Sequence, residues 1–286
     1  MTAPVVCAVA RQTPKEVVRV ASRLARDMDC RLDLVHVEKS SLLRSRSERS
    51  RRGRELLTEM LCEVPASVEA EVRLEHGDPA EALIGASNEL GAGMLVVGSS
   101  ERRRTHRLLA YGAECPLVIV PRKVAKPSLD PVEGGGVVCG VTDSPDSVKV
   151  ISLAVDLAER LERRLVLVHS GGGRSLALTR ALALLPGSGV EAVESSPSPE
   201  GLQEVARAYD AGFVMGGPDA RGVPRNFSRG SPAPQLVAHG EHPVVVLPDG
   251  ANRGRRENVA ARSTKALPGA ATVPAGARAK ARPPAA

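Results

Sequence analysis

The sequence predicts an α/β protein built as two doubly wound parallel-sheet domains in tandem. Three observations carry that reading. Short aliphatic runs such as VVCAV (5–9), LDLVHV (32–37), MLVV (94–97) and LVIV (117–120) alternate with longer stretches of helical periodicity. Runs that are apolar on both faces, separated by helices, belong to a parallel sheet covered on each side. The chain also repeats itself. VVCAV (5–9) returns as VVCGV (137–141), ASRLARDMDCRLDLVHV (21–37) as AVDLAERLERRLVLVHS (154–170), AGMLVVG (92–98) as AGFVMGG (211–217), and CPLVIVP (115–121) as HPVVVLP (242–248). The offsets of 132, 133, 119 and 127 keep the order and drift only as insertions would make them drift. Finally, aromatic residues make up 1% of the chain, so the cores must be packed from Val, Leu, Ile and Ala.

In the first copy, Val5–Val9 is a buried strand. Residues 14–28 follow as a helix, with Val17, Val18, Val20, Ala21, Leu24 and Ala25 on one face. Leu32–Val37 is the second strand. A helix over 43–61 turns Leu56, Leu57, Met60 and Leu61 inward, and Val68–Leu74 alternates as a third strand. GDPAEAL (77–83) opens a helix with Asp78 as N-cap and Pro79 at the first position, where a missing N–H costs nothing. Met94–Val97 and Leu117–Val120 complete the set. The second copy has strands near 137–141, 165–169, 190–194, 213–216 and 244–247. The resulting organisation is a first domain over 1–122, a Pro/Gly-rich linker over 123–136, a second domain over 137–248 and a tail over 249–286.

Several functions are excluded at this stage. No apolar run approaches the ~20 residues of a membrane-spanning helix, and the N-terminus lacks the charge-then-apolar pattern of a secretory signal. The five cysteines (7, 30, 62, 115 and 139) form no close pair, as expected of reduced thiols in a cytoplasmic protein. The net charge of +6 comes from the tail: residues 249–286 hold eight Lys/Arg and two Asp/Glu, which leaves 31 of each sign in residues 1–248. The tail, rich in Ala, Pro, Gly and Arg without periodicity, is expected to be disordered and solvated. With few aromatic rings to stack bases, no specific nucleic-acid site is expected. The Arg-rich stretches RSRSERSRRGR (44–54) and Arg102–Arg104 read as solvated helix starts.

LVHV (34–37), LVHS (167–170), GDPAEAL (77–83) and AECPLVIVP (113–121) stand in the order and spacing of the universal stress protein family, which the chain resembles over about residues 4–248. The resemblance implies a five-stranded parallel sheet in each copy, the adenine-nucleotide α-hydrolase-like fold. It also implies, for nucleotide-binding members, an ATP site in which a Gly-x2-Gly-x9-Gly-Ser/Thr segment holds the phosphates. Glycines let backbone N–H groups approach an anion, and the following helix N-terminus is electropositive. Carried onto the second copy, the segment is Gly217, Ala220, Gly230 and Ser231, with Thr142 and Asp143 at the end of the first strand. Ala220 stands where the second glycine belongs. Asp219 places a carboxylate beside the expected phosphates, which Mg2+ would offset. In the first copy, Gly98 to Cys115 is eight residues shorter than Gly217 to His242, and Ala10 takes the strand-end position, so no ATP binding of the family's kind is expected there.

No nucleophile elbow, Walker loop or Cys-x2-Cys pair is present. His239 and His242 read as structural residues, not metal ligands. His36 and His169 read as strand-end hydrogen-bonding residues, and Cys7 and Cys139 as buried apolar thiols. The expected function is that of a cytoplasmic stress-response regulator that binds ATP or a related nucleotide in its second domain and is not an enzyme, any ATP hydrolysis being slow and incidental. The alternative is a ligand-free scaffold or interaction protein of the same fold. The final strands LVIV (117–120) and VVVL (244–247) are apolar edges, and in tandem members such edges pair within one chain. A homodimer is compatible with that arrangement.

Overall fold

The computed structural model describes residues 2–39, 46–99, 103–122, 124, 135–142, 147–169, 178–179, 190–216 and 232–247. Met1–Arg253 form one compact unit; Gly254–Ala286 separate as a second unit, all of it outside the described residues. Most of the expected linker (123–136) and the whole expected tail (249–286) also lie outside them.

The strands are β1 (Val5–Ala8), β2 (Leu32–Glu38), β3 (Ala70–His76), β4 (Met94–Gly98), β5 (Leu117–Val120), β6 (Val137–Val141), β7 (Leu165–His169), β8 (Val190–Glu194), β9 (Phe213–Met215) and β10 (Val244–Val246). They form one sheet in the order β3-β2-β1-β4-β5-β10-β9-β6-β7-β8, so the second five repeat the order of the first five in mirror sequence. All pairings are parallel except one. β10 runs antiparallel to β5, with Val244 opposite Ile119, Val245 opposite Val118 and Val246 opposite Leu117. The carboxyl ends of β1–β5 and of β6–β10 therefore lie at opposite ends of the sheet.

Helices cover both faces. α1 (Lys15–Asp27), α2 (Arg46–Leu61) and α5 (Ser147–Arg160) pack on one side. α3 (Pro79–Glu89), α4 (Arg103–Gly112), α6 (Pro199–Ala208) and α7 (Pro232–His239) pack on the other. The alternation of side chains along each strand sorts the core into two layers. Val5, Cys7, Val118, Val137, Cys139 and Val245 join the first layer, and Val6, Leu95, Ile119, Val138, Val214 and Val244 the second. Both layers run unbroken across the β5–β10 pairing. On the first side Asp27 sits 3.6 Å from Arg23 and 3.7 Å from Arg163, so one carboxylate joins α1 to the turn that follows α5. The burial of Arg23 and the nearby Arg163 both lower its pKa, a cost that Asp27 partly offsets.

The outer strands differ from the inner ones as their positions require. β1, β4, β5, β6, β9 and β10 are buried throughout, whereas β3 and β8 are mostly exposed or half-buried and carry Glu71, Arg73, Glu75, Glu191 and Glu194. Charges on an edge strand oppose pairing with another chain. The third strand begins at Ala70, two residues later than the sequence predicts, and ends at His76. One inward assignment is corrected. Leu57 and Met60 are buried, but Leu61, the last residue of the helix, is 37% exposed, one position round from the face that Met60 buries.

Capping follows the sequence closely. Asp78 Oδ1 accepts from the Ala80 N–H at 2.9 Å and the Glu81 N–H at 3.4 Å, with Pro79 as the first helical residue. Ser198 repeats the device before Pro199, its Oγ accepting from the Gly201 N–H at 3.2 Å. Removing a cap of this kind costs about 1 kcal/mol. Asp78→Ala and Ser198→Ala are each expected to lower the urea-unfolding free energy by about that amount, additively in the double variant because the caps share no contacts. Unchanged unfolding midpoints in both single variants contradict the capping assignment.

Candidate functional site

In a doubly wound sheet, ligands bind where neighbouring strands send their chains in opposite directions, beyond the strands' carboxyl ends. The strand order gives two such points, between β1 and β4 and between β6 and β9. Matched register aligns them: Cys7 lies opposite Val96, and Cys139 opposite Met215. Gly98 therefore corresponds to Gly217.

At the β6–β9 point, the expected residues divide sharply. Thr142 directly follows β6. Its N–H donates to Ser147 Oγ at 3.2 Å, and the two hydroxyls lie 2.9 Å apart. Ser147 is the fully buried first residue of α5, so it holds the end of β6 against the next helix. Asp143, Gly217, Ala220, Gly230 and Ser231 lie outside the described residues. Their places in the chain are nevertheless bracketed: Gly217 comes two residues after β9, and Ser231 immediately before α7. α7 opens Pro232-Ala233-Pro234. Proline carries no N–H, so only Ala233 among these three positions offers a backbone donor. A helix N-terminus attracts anions through those donors, and this one has lost two of them.

The β1–β4 point is built differently. Its strand-end N–H, from Ala10, donates to Thr13 Oγ1 at 2.8 Å, so the hydroxyl-to-strand tie is kept while the Thr142 hydroxyl has no counterpart. Only residues 99–102 separate Gly98 from α4, whereas residues 218–231 separate Gly217 from α7. The short connection brings His106 onto the end of β4, where its Nε2–H donates to the Gly98 carbonyl at 3.0 Å and the ring is 2% exposed. Burial pushes the His106 imidazole below its ordinary range, against the smaller opposing effect of that hydrogen bond. The buried imidazole thus packs against the carboxyl end of β4 at the first switch point.

His36 and His242 each make a hydrogen bond within the fold. His36 Nδ1–H donates to the Val9 carbonyl at 2.7 Å, joining the ends of β1 and β2. His169 occupies the same place on β7, and its buried Nδ1 has no partner among the described residues. His242, which was read with His239 as a His-x2-His pair, is 4% exposed and donates from Nδ1 to Gln203 Oε1 at 3.1 Å. The side chain of His239 lies outside the described residues. Among the described residues no group of three His, Cys, Asp or Glu is disposed to hold a metal ion. The Gln203–His242 pair escaped the sequence reading, although it had a signal there. Once the caps Asp78 and Ser198 are aligned, Gln203 falls on Leu83, and His242 falls on Cys115. The second half thus carries a buried polar pair where the first carries two apolar side chains. Cys7 and Cys139 are fully buried, with their thiol pKa values pushed up to about 12 by burial, as their reading as core residues requires.

With these positions fixed, comparison with known proteins is informative. Residues 1–121 match the model of the universal stress protein family. The matched stretch takes in β1–β5 and stops one residue after β5, so the matched half is the one with the short connection. A universal stress protein from Archaeoglobus fulgidus DSM 4304 superposes with a TM-score of 0.66 at 15% identity, over 87% of this chain and 97% of its own. A protein of unknown function from Pseudomonas aeruginosa PAO1 gives 0.58 at 17% identity, over 90% and 97%. At these identities the likeness is one of fold. No curated protein matches by sequence. Among the described residues no helix is long and apolar enough to cross a membrane.

The buried histidines make stability depend on pH in a defined direction. Burial lowers the pKa of both His106 and His242 from the ordinary 6.5, so below that value the unfolded chain binds protons that the folded chain does not. Stability is then level above pH 6.5 and falls as pH drops through the window below it. A Gln203→Leu/His242→Leu variant, copying the apolar character of the first half, is expected to lose less stability than wild type between pH 7 and 5 in urea titrations. Superimposable pH profiles contradict the assignment.

Proposed function

We propose that the chain is a tandem universal stress protein, a stress-response regulator whose second half binds ATP or a related nucleotide at the β6–β9 switch point, and that its two family domains associate within the chain through β5 and β10. The observation that carries the reading is the pairing of a doubly wound fold with a long connection after β9, in which Gly217, Gly230 and Ser231 keep the family's spacing ahead of a helix. In this reading Gly217 and Gly230 let the backbone approach the phosphates, Ser231 adds a hydroxyl donor, and Thr142 and Asp143 face the nucleoside side of the crevice. Ala220 replaces the family's second glycine, a departure that removes one point of close backbone approach, and Mg2+ with the nucleotide balances Asp219. In this reading the protein acts by binding and release rather than by turnover, in the cytoplasm.

A second reading, a scaffold of the same fold without a ligand, is favoured by one specific observation. Pro232 and Pro234 remove two N–H donors from the start of α7, where an anion would be held. The two readings separate by isothermal titration of ATP with Mg2+ into the full chain and into a Gly230→Asp/Ser231→Ala variant. Micromolar binding that the double substitution abolishes supports the nucleotide reading. Absence of heat and of any thermal shift, with circular dichroism confirming a folded protein, leaves the scaffold reading in its place.

A further inference from the structure

The outer edge of β3 carries residues that match themselves across a two-fold axis. The Leu32 N–H donates to the Glu69 carbonyl, and the Gly77 N–H to the Glu38 carbonyl. In a parallel ladder this makes the odd-numbered residues of β3 the ones bonded to β2. Ala70, Val72 and Leu74 therefore turn their N–H and C=O groups outward, away from the sheet. Neither face is roofed at the middle of the strand. Val72, on the side where Ala70 and Leu74 pack with α2, is 47% exposed. Among the described residues it is the one exposed large apolar side chain of the sheet. Glu71, on the other face, has a side chain 53% exposed.

Charges on an edge strand repel a neighbour whose charges clash, but not one whose charges interlock. With a second copy of β3 laid antiparallel and Val72 opposite Val72, Ala70 meets Leu74 and Glu71 meets Arg73, on both sides of the axis. The outward backbone groups belong to Ala70, Val72 and Leu74, so these apolar pairs are the ones that exchange hydrogen bonds. The present partners of the charges leave room for the exchange. Glu71 lies 3.1 Å from Arg31, and Arg73 lies 3.5 Å from Glu89 and 3.9 Å from Glu75. Contacts of this kind at an exposed edge are held weakly. The neighbouring register, with Arg73 opposite Arg73, faces two guanidinium groups and sets Glu71 against Glu75, so the charges select the axis at Val72. One mismatch remains, Glu69 opposite Glu75 at each end, which keeps the joint weak. The other edge, β8, carries Glu191 and Glu194 with no basic residue and has no such match. We propose that β3 is a self-association surface, an antiparallel β3–β3 joint centred on Val72 that continues the ten-stranded sheet into a second copy of this chain. With one strand pair at its centre it belongs with the small, transient interfaces, and β3 is bare in dilute protein. The joint is independent of the nucleotide reading, because β3 is the outermost strand of the first half and the β6–β9 point lies in the second.

The test is sedimentation velocity of the full chain from about 1 to 500 µM, the range in which small interfaces associate. The mass is expected to climb from monomer to dimer and stop there. Val72→Lys sets two ammonium groups face to face at the axis, and Glu71→Arg opposes Arg73 with a like charge. Each is expected to weaken association about tenfold or more. The exchange Glu71→Arg/Arg73→Glu restores the opposite-charge pairs and is expected to return association to within about threefold of wild type. Circular dichroism and urea midpoints check that each variant is folded. A wild-type chain that stays monomeric throughout overturns the proposal. So does a dimer that Val72→Lys and Glu71→Arg leave intact, and so does an exchange variant that associates no better than Glu71→Arg. A mass that climbs past the dimer also overturns it, since that marks an open series such as β3 against β8.

Discussion

The antiparallel pairing of β5 with β10 is the constraint on which the rest of the structure depends. Each of these strands is short and buried on both faces, and each would be an exposed apolar edge without the other. Their pairing removes two edges at once and lets both core layers pass unbroken from one set of five strands to the next. The remaining edges, β3 and β8, are the charged and half-exposed strands that solvent tolerates. The direction of the pairing matters as much as its existence. An antiparallel joint turns the second five strands around, so the two switch points face away from each other, and each is free to be remodelled alone.

The two points are built in different ways. At the β1–β4 point only residues 99–102 connect to the next helix, which brings His106 onto the Gly98 carbonyl. That buried hydrogen bond ties the next helix to the end of β4. At the β6–β9 point the long connection and its glycines persist, but two prolines thin out the donors at the helix start. The match of residues 1–121 to the universal stress protein family model covers the half with the short connection, and the likeness to solved structures is one of fold. Function in a doubly wound fold is a property of what crosses the switch point, and here the two crossings differ.

Much of this was legible from residues alone, for identifiable reasons. The inner strands are runs of consecutive aliphatic residues because both of their faces are covered, and such runs are hard to mistake. Asp78-Pro79 and Ser198-Pro199 announce helix starts through chemistry local to a few residues. What depends on contact between distant segments was not legible. Gln203 and His242 are 39 positions apart, and only the fold brings them to 3.1 Å. Leu61 satisfies the helical period yet is 37% exposed beside the buried Met60, since periodicity alone does not set how far round a helix the covered face extends. Gly53 looks like a weak spot in an Arg-rich helix until Glu38 and His36 are found beneath it. The nucleotide segment was read from spacing, and of its residues only Thr142 falls among those described.

Hydrogen exchange followed by mass spectrometry tests the central role of the β5–β10 joint most directly. Amides at the joint are expected to exchange only through global unfolding, as slowly as those of the interior strands β1 and β6, and far more slowly than those of β3 and β8. If the amides of Leu117–Val120 and Val244–Val246 instead exchange at the rate of the outer strands while β1 and β6 remain protected, the joint opens on its own, and the continuous sheet is not what holds the two halves together.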